Sequence, residues 1–520
     1  MILSSPPARR AAVPALVALS ALAGMLALAL ATRHGTGIAP DSVSYIEAAR
    51  NLGAGHGVST SEDGVEFRPL TRFPPFYPVA IAAIVELGLA PIDAARWLAV
   101  ALFGANVVLV SLLVARSAPG ARWLPAIGAV LMASAPEVAK IHGTAQSEPL
   151  FLLLGFAGLL LLSLHLEKRQ IRMLLAASFL IGLAFLTRFV GAALLATGVL
   201  ALVLAPGAKS SQRVTDAAVF AAVAALPMAA WTLRSQLVGV PATGRSFAFH
   251  PVSREAIDLA GRSVGRWLLL DLGGAAVAWM LGAGLLLCIG HWLWRSKARD
   301  AAAAMPRILL IFASVYLVLL LVSISFFDAQ TPLGGRMFAP VLVASLVLAL
   351  CGVRAGTRAW RSPAPALLAA LLALIFTLSY ARDTSQWVRE RAAIGAEGFG
   401  SLAWGRSETM RRVRELPANA IVYSNARDAI YILTGRATRW MPAWVDAESR
   451  QPRPAYAPDL AAIRAALRAE RASLVWFDQA SWRWYLPPRA ELQQRLPIRR
   501  VAALQDGEIW AYDPSRDARR

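Results

Sequence analysis

The chain has 520 residues and a formal net charge of +20, yet only 16% of its residues are charged and 57% are hydrophobic. A soluble protein of this length would carry about a quarter charged residues, so the composition excludes an ordinary soluble domain. Apolar runs of about 20 residues recur along the first 381 positions, long enough to cross the hydrocarbon core of a bilayer as helices. The sequence therefore predicts a polytopic α-helical membrane protein.

The excess positive charge indicates a lipid environment and no nucleic-acid partner. Lys and Arg are concentrated in short loops between apolar runs and in the C-terminal tail, and no basic stripe alternates with aromatic residues. Such a distribution is typical of loops that set membrane topology and of a basic tail near anionic lipid. The only cysteines, Cys288 and Cys351, lie in apolar runs, which leaves neither a disulfide framework nor a cysteine-based metal site.

We expect eleven membrane spans. They are 11–32, 94–115, 123–139, 149–166, 173–187, 189–206, 216–233, 272–294, 307–327, 337–353 and 363–381. The first follows Arg9 and Arg10 and imitates a secretory signal sequence, with Ala29-Leu30-Ala31 as an apparent cleavage site. Its length and the many later spans favour an uncleaved first helix.

The loops between the spans alternate in charge. Those around 116–122, 167–172, 207–215, 295–307 and 354–361 hold two to four Lys or Arg residues each, whereas those around Lys140, Arg188 and Arg336 hold one each. The positive-inside rule places the first set and the N-terminus in the cytoplasm. The first loop (33–93), the loop at 234–271 and the tail then lie outside, which in a bacterium is the periplasm.

One apolar segment, Phe76–Ala90, bears on this topology. It has 15 residues with Glu86 near its end, which favours an interfacial or re-entrant helix, because a full crossing would invert every later loop. The tail from 382 to 520 has a different composition, with frequent Pro, clustered Trp and Tyr, and strand-like alternation at 420–424, 473–477 and 508–512. With a helix at 459–470, it predicts one small α/β domain.

Polar residues gather at the outer ends of the predicted spans. They are Asp41 after Pro40, His142 and Glu148 before the fourth span, Arg188 between the fifth and sixth, Arg234 after the seventh, and Arg336 before the tenth. Span centres carry no Asp, Glu, Lys or Arg, so a site would lie at the outer membrane surface. Each residue also has an ordinary interpretation. Asp41 suits the first turn of a helix in which Ser44 and Glu47 have capping-box spacing, and each Arg suits an interfacial position.

This placement limits the chemistry. No nucleotide pool exists outside the cytoplasm, so a group-transfer enzyme there needs a donor delivered within the membrane, and a lipid-phosphate sugar meets that need. A carboxylate could act as general base on the acceptor hydroxyl, while Arg side chains or a metal ion neutralise the departing phosphate.

Four segments in order resemble the GT-C superfamily of integral membrane glycosyltransferases, most closely its family 39-like members of the protein-mannosyltransferase and aminoarabinose-transferase types. They are APDSVSYIEAARNLGAGHG, FPPFYPVAIAAI, QSEPLFLLL and GLAFLTRFVGAALL, with a weaker fifth, LPMAAWTLRSQLVGVPATGR. Together they cover about residues 1–250. The later spans resemble the family mainly in being apolar spans, and the tail would correspond to the family's variable periplasmic domain.

The resemblance implies a GT-C-like fold with Asp41 as catalytic base and Glu148 as a second acid that orients the acceptor or binds metal. It implies that Arg188 meets the lipid phosphate, and we expect Arg72, Arg336 and Tyr45 to contact substrate or phosphate as well. A divalent metal ion held by Glu148 and His142 is a further candidate. Here Arg72 and Phe73 precede the Pro-Pro pair, where aminoarabinose-type enzymes have an acidic-basic pair.

The leading prediction is an inverting glycosyltransferase that moves a sugar from a polyprenyl-phosphate donor to a lipid, glycan or protein hydroxyl at the periplasmic face. A transporter or lipid flippase is the first alternative, although such proteins usually keep ionisable residues near the membrane midplane. An enzymatically silent scaffold or sensor, with a ligand-binding tail, is the second.

Overall fold

The computed structural model of the chain is helical in its first three quarters and carries a small sheet near its C-terminus. It describes residues 7–61, 67–240, 247–269, 304–359, 362–469 and 472–517, with positions 283, 284, 287 and 290. This architecture confirms the predicted fold class, a polytopic helical membrane protein with a small C-terminal α/β region.

Most of the helices before the tail follow the apolar runs, since a membrane-embedded backbone must satisfy its hydrogen bonds within the helix. They are α1 (Pro7–Ala31), α2 (Pro40–Gly53), α3 (Phe76–Val85), α4 (Pro91–Ser117), α5 (Leu124–Ser134), α6 (Pro136–His142), α7 (Glu148–Lys168), α8 (Ile171–Thr187), α9 (Ala192–Val203), α10 (Ser210–Leu237), α11 (Arg254–Trp267), α12 (Ala304–Phe326), α13 (Gly335–Ala359) and α14 (Ala364–Ile394). A short hairpin, β1 (Ser59–Thr60) with β2 (Arg68–Pro69), follows α2.

Seven of the described helices are long and apolar enough to cross a membrane, and α5 with α6 forms an eighth candidate bent by 60°. The fifth and sixth predicted spans fall on the shorter apolar helices α8 and α9, and the eighth, at 272–294, lies outside the described residues. Helix α3 has ten residues, or about 15 Å of rise, too short for a full crossing. The prediction that the segment 76–90 does not span is therefore supported.

Close helix packing builds the bundle. A Cβ at Gly24 of α1 would lie 2.5 Å from Cε1 of Phe103 in α4, so only glycine permits this approach. Leu28 of α1 and Phe103 belong to the same buried cluster. Helix α1 thus packs as an integral part of the bundle, as small residues at membrane helix contacts allow.

The predicted basic loops lie together at one end of the bundle. Arg116 forms an ion pair with Glu167, Arg169 Nη1 lies 3.7 Å from Asp216 Oδ2, and Arg358 Nη2 donates to Pro119 O at 3.2 Å. These contacts join four of the five basic loops, and the fifth, around 295–307, lies mostly outside the described residues. The polar residues of the candidate site lie at the opposite helix ends.

The tail forms a five-stranded sheet in the order β4-β3-β5-β7-β6. Its strands are β3 (Ile421–Ser424), β4 (Arg439–Trp440), β5 (Ala472–Phe477), β6 (Ile498–Leu504) and β7 (Gly507–Tyr512). Strands β4, β3 and β5 run parallel, whereas β7 is antiparallel to both β5 and β6. The three predicted strands are present, while β4 and β6 were not predicted.

Six short helices accompany the sheet. They are α15 (Leu402–Gly405), α16 (Glu408–Glu415), α17 (Arg427–Thr434), α18 (Tyr456–Arg468), α19 (Arg489–Arg495) and α20 (Pro514–Asp517). Helix α18 matches the helix predicted at 459–470. Helix α14, by contrast, continues to Ile394 without a break, beyond the predicted span end at 381.

Candidate active site

Asp41 is held in place by backbone pairing on both sides of the segment before α2. Gly37 N donates to Gly143 O at 2.8 Å, and Phe399 N donates to Ile38 O at 2.8 Å. Gly398 has a φ of +63°, and a Cβ there would lie 2.2 Å from Ile38 O, so glycine is required. The start of α2 is thus fixed between the loop before α7 and the loop after α14.

The predicted capping box of Ser44 and Glu47 is wrong, because α2 begins at Pro40, four residues before Ser44. Ala39 N donates to Ser42 Oγ at 3.0 Å instead. The Glu47 carboxylate accepts from Ser61 N at 2.6 Å and ties the hairpin to α2. Asp41 does occupy the first turn of its helix, as predicted. It is therefore both a helix-start acid and a member of the candidate site.

Arg336 joins the two predicted carboxylates. Its Nη2 lies 2.9 Å from Asp41 Oδ2, and its Nε donates to Glu148 Oε1. Arg188 Nη1 lies 2.7 Å from the same Glu148 oxygen and 3.0 Å from Ser147 Oγ. Four helix ends converge to form this cluster: Asp41, Glu148 and Arg336 lie in the first turns of α2, α7 and α13, and Arg188 follows α8.

Asp41 and Glu148 differ in their exposure. The side chains of Asp41 and Arg336 are 32% and 31% exposed, whereas that of Glu148 is 2% exposed and does not line the cavity described below. Glu148 Oε2 is buried and has no hydrogen-bond partner among the described residues. Glu148 is therefore placed to position the two guanidinium groups, and Asp41 to meet a substrate.

Arg336 keeps the Asp41 carboxylate ionised. Burial raises the pKa of Asp41, but the charge and hydrogen bond of Arg336, with smaller contributions from Arg72 and Arg188, outweigh it and hold the pKa below its ordinary value. Asp41 is therefore a carboxylate at neutral pH, the form that a general base requires.

Tyr45 lies one helical turn after Asp41 and lines the same cavity. Its hydroxyl lies 3.3 Å from Ser147 Oγ, and its ring packs edge-on against Tyr77 with ring centroids 5.1 Å apart. Burial raises the pKa of Tyr45, and the nearby Asp41 charge raises it further, so the hydroxyl keeps its proton. Tyr45 can therefore donate a hydrogen bond near the carboxylate.

Arg72 also lines the cavity, with its side chain 56% exposed. Its Nη2 lies 2.8 Å from Glu448 Oε1 in the tail. The loop between α3 and the hairpin is thereby linked to the sheet region. Arg72 is thus near enough to the site to favour the ionised form of Asp41, but it is already part of an ion pair.

These residues surround a cavity of about 1200 Å³ between the ends of the membrane helices and the tail. Asp41, Tyr45, Arg72, Arg188 and Arg336 line one part of it, and residues of the loops after β3, β4 and β5 line another. Because these charged groups are partly shielded from water, their interactions are stronger than those of fully exposed charges. The structure thus brings together five of the predicted residues around one cavity and places Glu148 just behind it.

Two predicted residues lie elsewhere. His142 is fully buried, with Nδ1 2.8 Å from Val138 O and Nε2 3.1 Å from Asn106 Nδ2, so both ring nitrogens face protein partners. Neither nitrogen is available to a metal ion in this arrangement. Arg234 stacks on Trp231 at 4.7 Å and does not line the cavity.

The predicted divalent metal ion does not fit the donor set. Arg336 occupies the position between Asp41 and Glu148, where its positive charge repels a cation. In the part of the chain that the structure describes, no three His, Cys, Asp or Glu side chains come together as possible ligands. We therefore derive no step through a metal.

Sequence reasoning missed the contribution of the tail, which carries no catalytic motif. Trp440, Arg483 and Trp484 line the cavity beside the predicted residues. The only signal in the sequence was the local density of aromatic and basic residues in Ser481–Leu486, SWRWYL. Tyr316 of α12 also lines the cavity and was not singled out.

The structure thus combines membrane helices, a carboxylate–guanidinium cluster at their ends, and a cavity partly covered by a sheet region. Residues 72–232 match the family model of dolichyl-phosphate-mannose-protein mannosyltransferase. That segment includes Arg72, Glu148 and Arg188. The resemblance predicted from the sequence is therefore supported over this segment of the chain. The sequence matches no curated protein significantly.

Solved structures share the fold at low sequence identity. ArnT from Cupriavidus metallidurans bound to undecaprenyl phosphate has a TM-score of 0.57 and 14% identity, over 97% of this chain and 98% of that one. The archaeal oligosaccharyltransferase AglB from Archaeoglobus fulgidus has a TM-score of 0.54 and 13% identity, over 90% and 69%. Arabinofuranosyltransferase AftD from Mycobacteria has a TM-score of 0.51 and 15% identity, over 96% and 40%.

Proposed function

We propose that the protein is an inverting glycosyltransferase that moves a sugar from a polyprenyl-phosphate donor to a hydroxyl acceptor. The observation that carries the proposal is the ion pair of Asp41 with Arg336 on the wall of a cavity at the membrane helix ends. It puts an ionised base beside a cation, which are the two groups that glycosyl transfer from a lipid phosphate needs.

The donor class is supported by similar proteins. The ArnT structure is bound to undecaprenyl phosphate, and the AglB structure is in complex with an inhibitory peptide and a dolichol-phosphate. The position of the cavity at helix ends suits a donor whose lipid lies in the bilayer and whose sugar lies at the surface. The acceptor in this proposal is a lipid, a glycan or a protein.

The proposed reaction is a single displacement. Asp41 accepts the proton of the acceptor hydroxyl while that oxygen forms a bond to the anomeric carbon. The bond from the anomeric carbon to the phosphate oxygen breaks on the opposite face, and its electron pair leaves with the polyprenyl phosphate. Guanidinium N–H groups of Arg188 and Arg336 stabilise the phosphate charge, while Glu148 keeps both groups in place. The products are the glycosylated acceptor with inverted configuration, polyprenyl phosphate and a proton.

Charge distribution supports a periplasmic site in a bacterial inner membrane. The basic loops lie at the opposite end of the bundle from Asp41, and the positive-inside rule assigns that basic end to the cytoplasm. The N-terminus is then cytoplasmic, and the tail, which packs against α2, is periplasmic.

A transfer assay tests the proposal. The protein, purified into lipid nanodiscs, is supplied with a panel of radiolabelled polyprenyl-phosphate sugars and a membrane extract, with nucleotide sugars as control donors. We expect transfer from a lipid-phosphate donor alone, and a product anomeric configuration by NMR opposite to that of the donor. Retention of configuration would overturn the single displacement. Movement of labelled polyprenyl phosphate across vesicle bilayers without any transfer would favour the transporter alternative.

A further inference from the structure

The loops of the tail that face the cavity lie at one edge of its sheet. Strands β4, β3 and β5 are parallel, so their carboxyl ends share an edge. The segments that leave this edge place Arg427 after β3, Met441, Asp446 and Glu448 after β4, and Trp482 to Leu486 after β5 on the cavity wall. The crevice beyond the carboxyl ends of parallel strands is the usual ligand position in such sheets.

Aromatic rings dominate this wall. Trp482 and Trp484 are 51% and 46% exposed, and both line the cavity together with Trp440. Trp482 also lines a second cavity of about 420 Å³, which shares Pro40 and Arg336 with the first. The aromatic wall (Trp440, Trp482 and Trp484) therefore continues directly into the proposed catalytic cluster.

A buried arginine orients the rings. The guanidinium carbon of Arg483 lies 4.5 Å from the ring centroid of Trp440 and 5.0 Å from that of Trp482. Arg483 is itself 3% exposed, and its Nη2 lies 2.6 Å from Asp428 Oδ2. A planar cation held between two rings fixes their orientation at low entropic cost.

The backbone of this wall is also tied down. Trp444 N donates to Tyr485 O at 3.2 Å, and its indole nitrogen donates to Trp484 O at 3.3 Å. Ala329 N, in the loop before α13, donates to Glu448 O at 3.0 Å. Pre-ordered aromatic side chains offer a large contact area without a further ordering cost.

The chemistry of such a surface matches a sugar ring. A pyranose presents C–H groups on its faces and hydroxyl groups around its edge, so its face packs on an indole while its hydroxyls meet polar neighbours. Asp446, Glu448 and Arg453 line the same cavity and provide acceptors and donors around the rings. Peptides and lipid tails do not need both a flat ring surface and a polar border.

We propose that the aromatic wall is a saccharide-binding subsite and that the acceptor of the reaction is a glycan or a glycolipid headgroup. This proposal rests on the proposed function, because a transfer reaction gives the subsite its acceptor. The tail contributes the wall, whereas the donor lipid would enter at the ends of the membrane helices, which favours the acceptor sugar over the donor sugar.

Binding measured without turnover tests the subsite separately from catalysis. The probes are methyl α- and β-glycosides of common hexoses and N-acetylhexosamines, titrated into full-length protein in nanodiscs, with polyprenyl phosphate as the probe of donor-lipid binding. The variant is Trp482→Leu with Trp484→Leu. The matched control is Trp123→Leu, which removes an indole 54% exposed in the loop before α5, at the basic end of the bundle.

We expect the wild type, Asp41→Asn and Trp123→Leu to bind at least one glycoside with equal affinity. The double Trp variant should bind it about tenfold more weakly, with unchanged affinity for polyprenyl phosphate. Equal glycoside binding by the double variant, or an equal loss of polyprenyl phosphate binding, would overturn the proposal. So would a preference of the wild type for Ser- or Thr-containing peptides over every glycoside.

An alternative role for the exposed indoles of Trp482 and Trp484 is to anchor the protein in the membrane surface. Quenching of tryptophan fluorescence by brominated lipid distinguishes the two roles. Quenching that falls sharply in the double variant would show the rings in lipid and overturn the proposal, whereas equal quenching in wild type and variant supports it. Failure of the proposed function gives a different result, since neither the wild type nor any variant would then transfer sugar from a polyprenyl-phosphate donor, while the loss of glycoside binding in the double variant would still be measured.

Discussion

The two ends of the helix bundle both carry ion pairs, and the pairs differ in kind. At the basic end, Arg116 pairs with Glu167 between the last turns of α4 and α7. At the other end, Arg336 reaches Asp41 across 295 positions of sequence and Glu148 across 188, on the wall of a cavity. Surface pairs contribute little to stability, whereas pairs in a cavity wall depend on the whole fold. The pair at the first end joins two neighbouring helix ends, whereas the pair at the second lines a cavity.

The largest effect should follow removal of the bridging cation. In Arg336→Gln the developing phosphate charge loses a donor, and Asp41 loses its ion pair, so kcat/KM should fall by about 10²–10³. The matched control is Arg358→Gln, which removes an exposed arginine from the last turn of the same helix at the basic end. An Arg336→Gln enzyme with wild-type kcat/KM would show that the ion pair of Arg336 with Asp41 matters no more for transfer than an ion pair on the surface.

A second prediction concerns pH. In the wild type, Arg336 holds the pKa of Asp41 below its ordinary value, so kcat/KM should stay constant through mildly acidic pH and fall only as pH drops through that lowered pKa. Without Arg336, burial is left as the main influence and raises the pKa, so the acidic limb of the profile should move to higher pH. The profiles of kcat/KM for both proteins test this, and coincident limbs would contradict it.

The smallest effect should come from the basic end. Arg116→Ala and Glu167→Ala, singly and together, should give a coupling free energy of no more than ~1 kcal/mol in reversible unfolding, because the pair is partly exposed and screened. Transfer activity should be unchanged. A coupling several times larger, or a loss of transfer, would mean that the pair at the basic end does more than join neighbouring helix ends.

Most of the fold could be predicted because apolar run length and loop charge are local features of the sequence. The spans, the short helix at Phe76–Val85 and three strands of the tail follow from such patterns. The membership of Asp41, Arg188 and Arg336 in one outer cluster also follows, because helix ends on one side of a membrane meet at one surface.

The details of the site depend on long-range packing that no local pattern encodes. His142 has a ligand-type side chain, but packing against Phe103 and a hydrogen bond from Asn106 bury it. Glu148 lies behind the arginines because α7 begins at that residue, inside the junction of helix ends. The aromatic wall was missed because its rings come from loops after separate strands and only meet once the sheet has formed.

The central claim is that Asp41 is the catalytic base, and one comparison tests it most directly. Asp41→Asn keeps the size of the side chain and removes its basicity. Asp93→Asn makes the same change at an exposed acid in the first turn of α4, outside the cavity. With both variants folded in nanodiscs and supplied with a polyprenyl-phosphate sugar, we predict that Asp93→Asn transfers sugar like the wild type and that Asp41→Asn does not. Equal transfer by both would reduce Asp41 to a helix-start acid and contradict the mechanism.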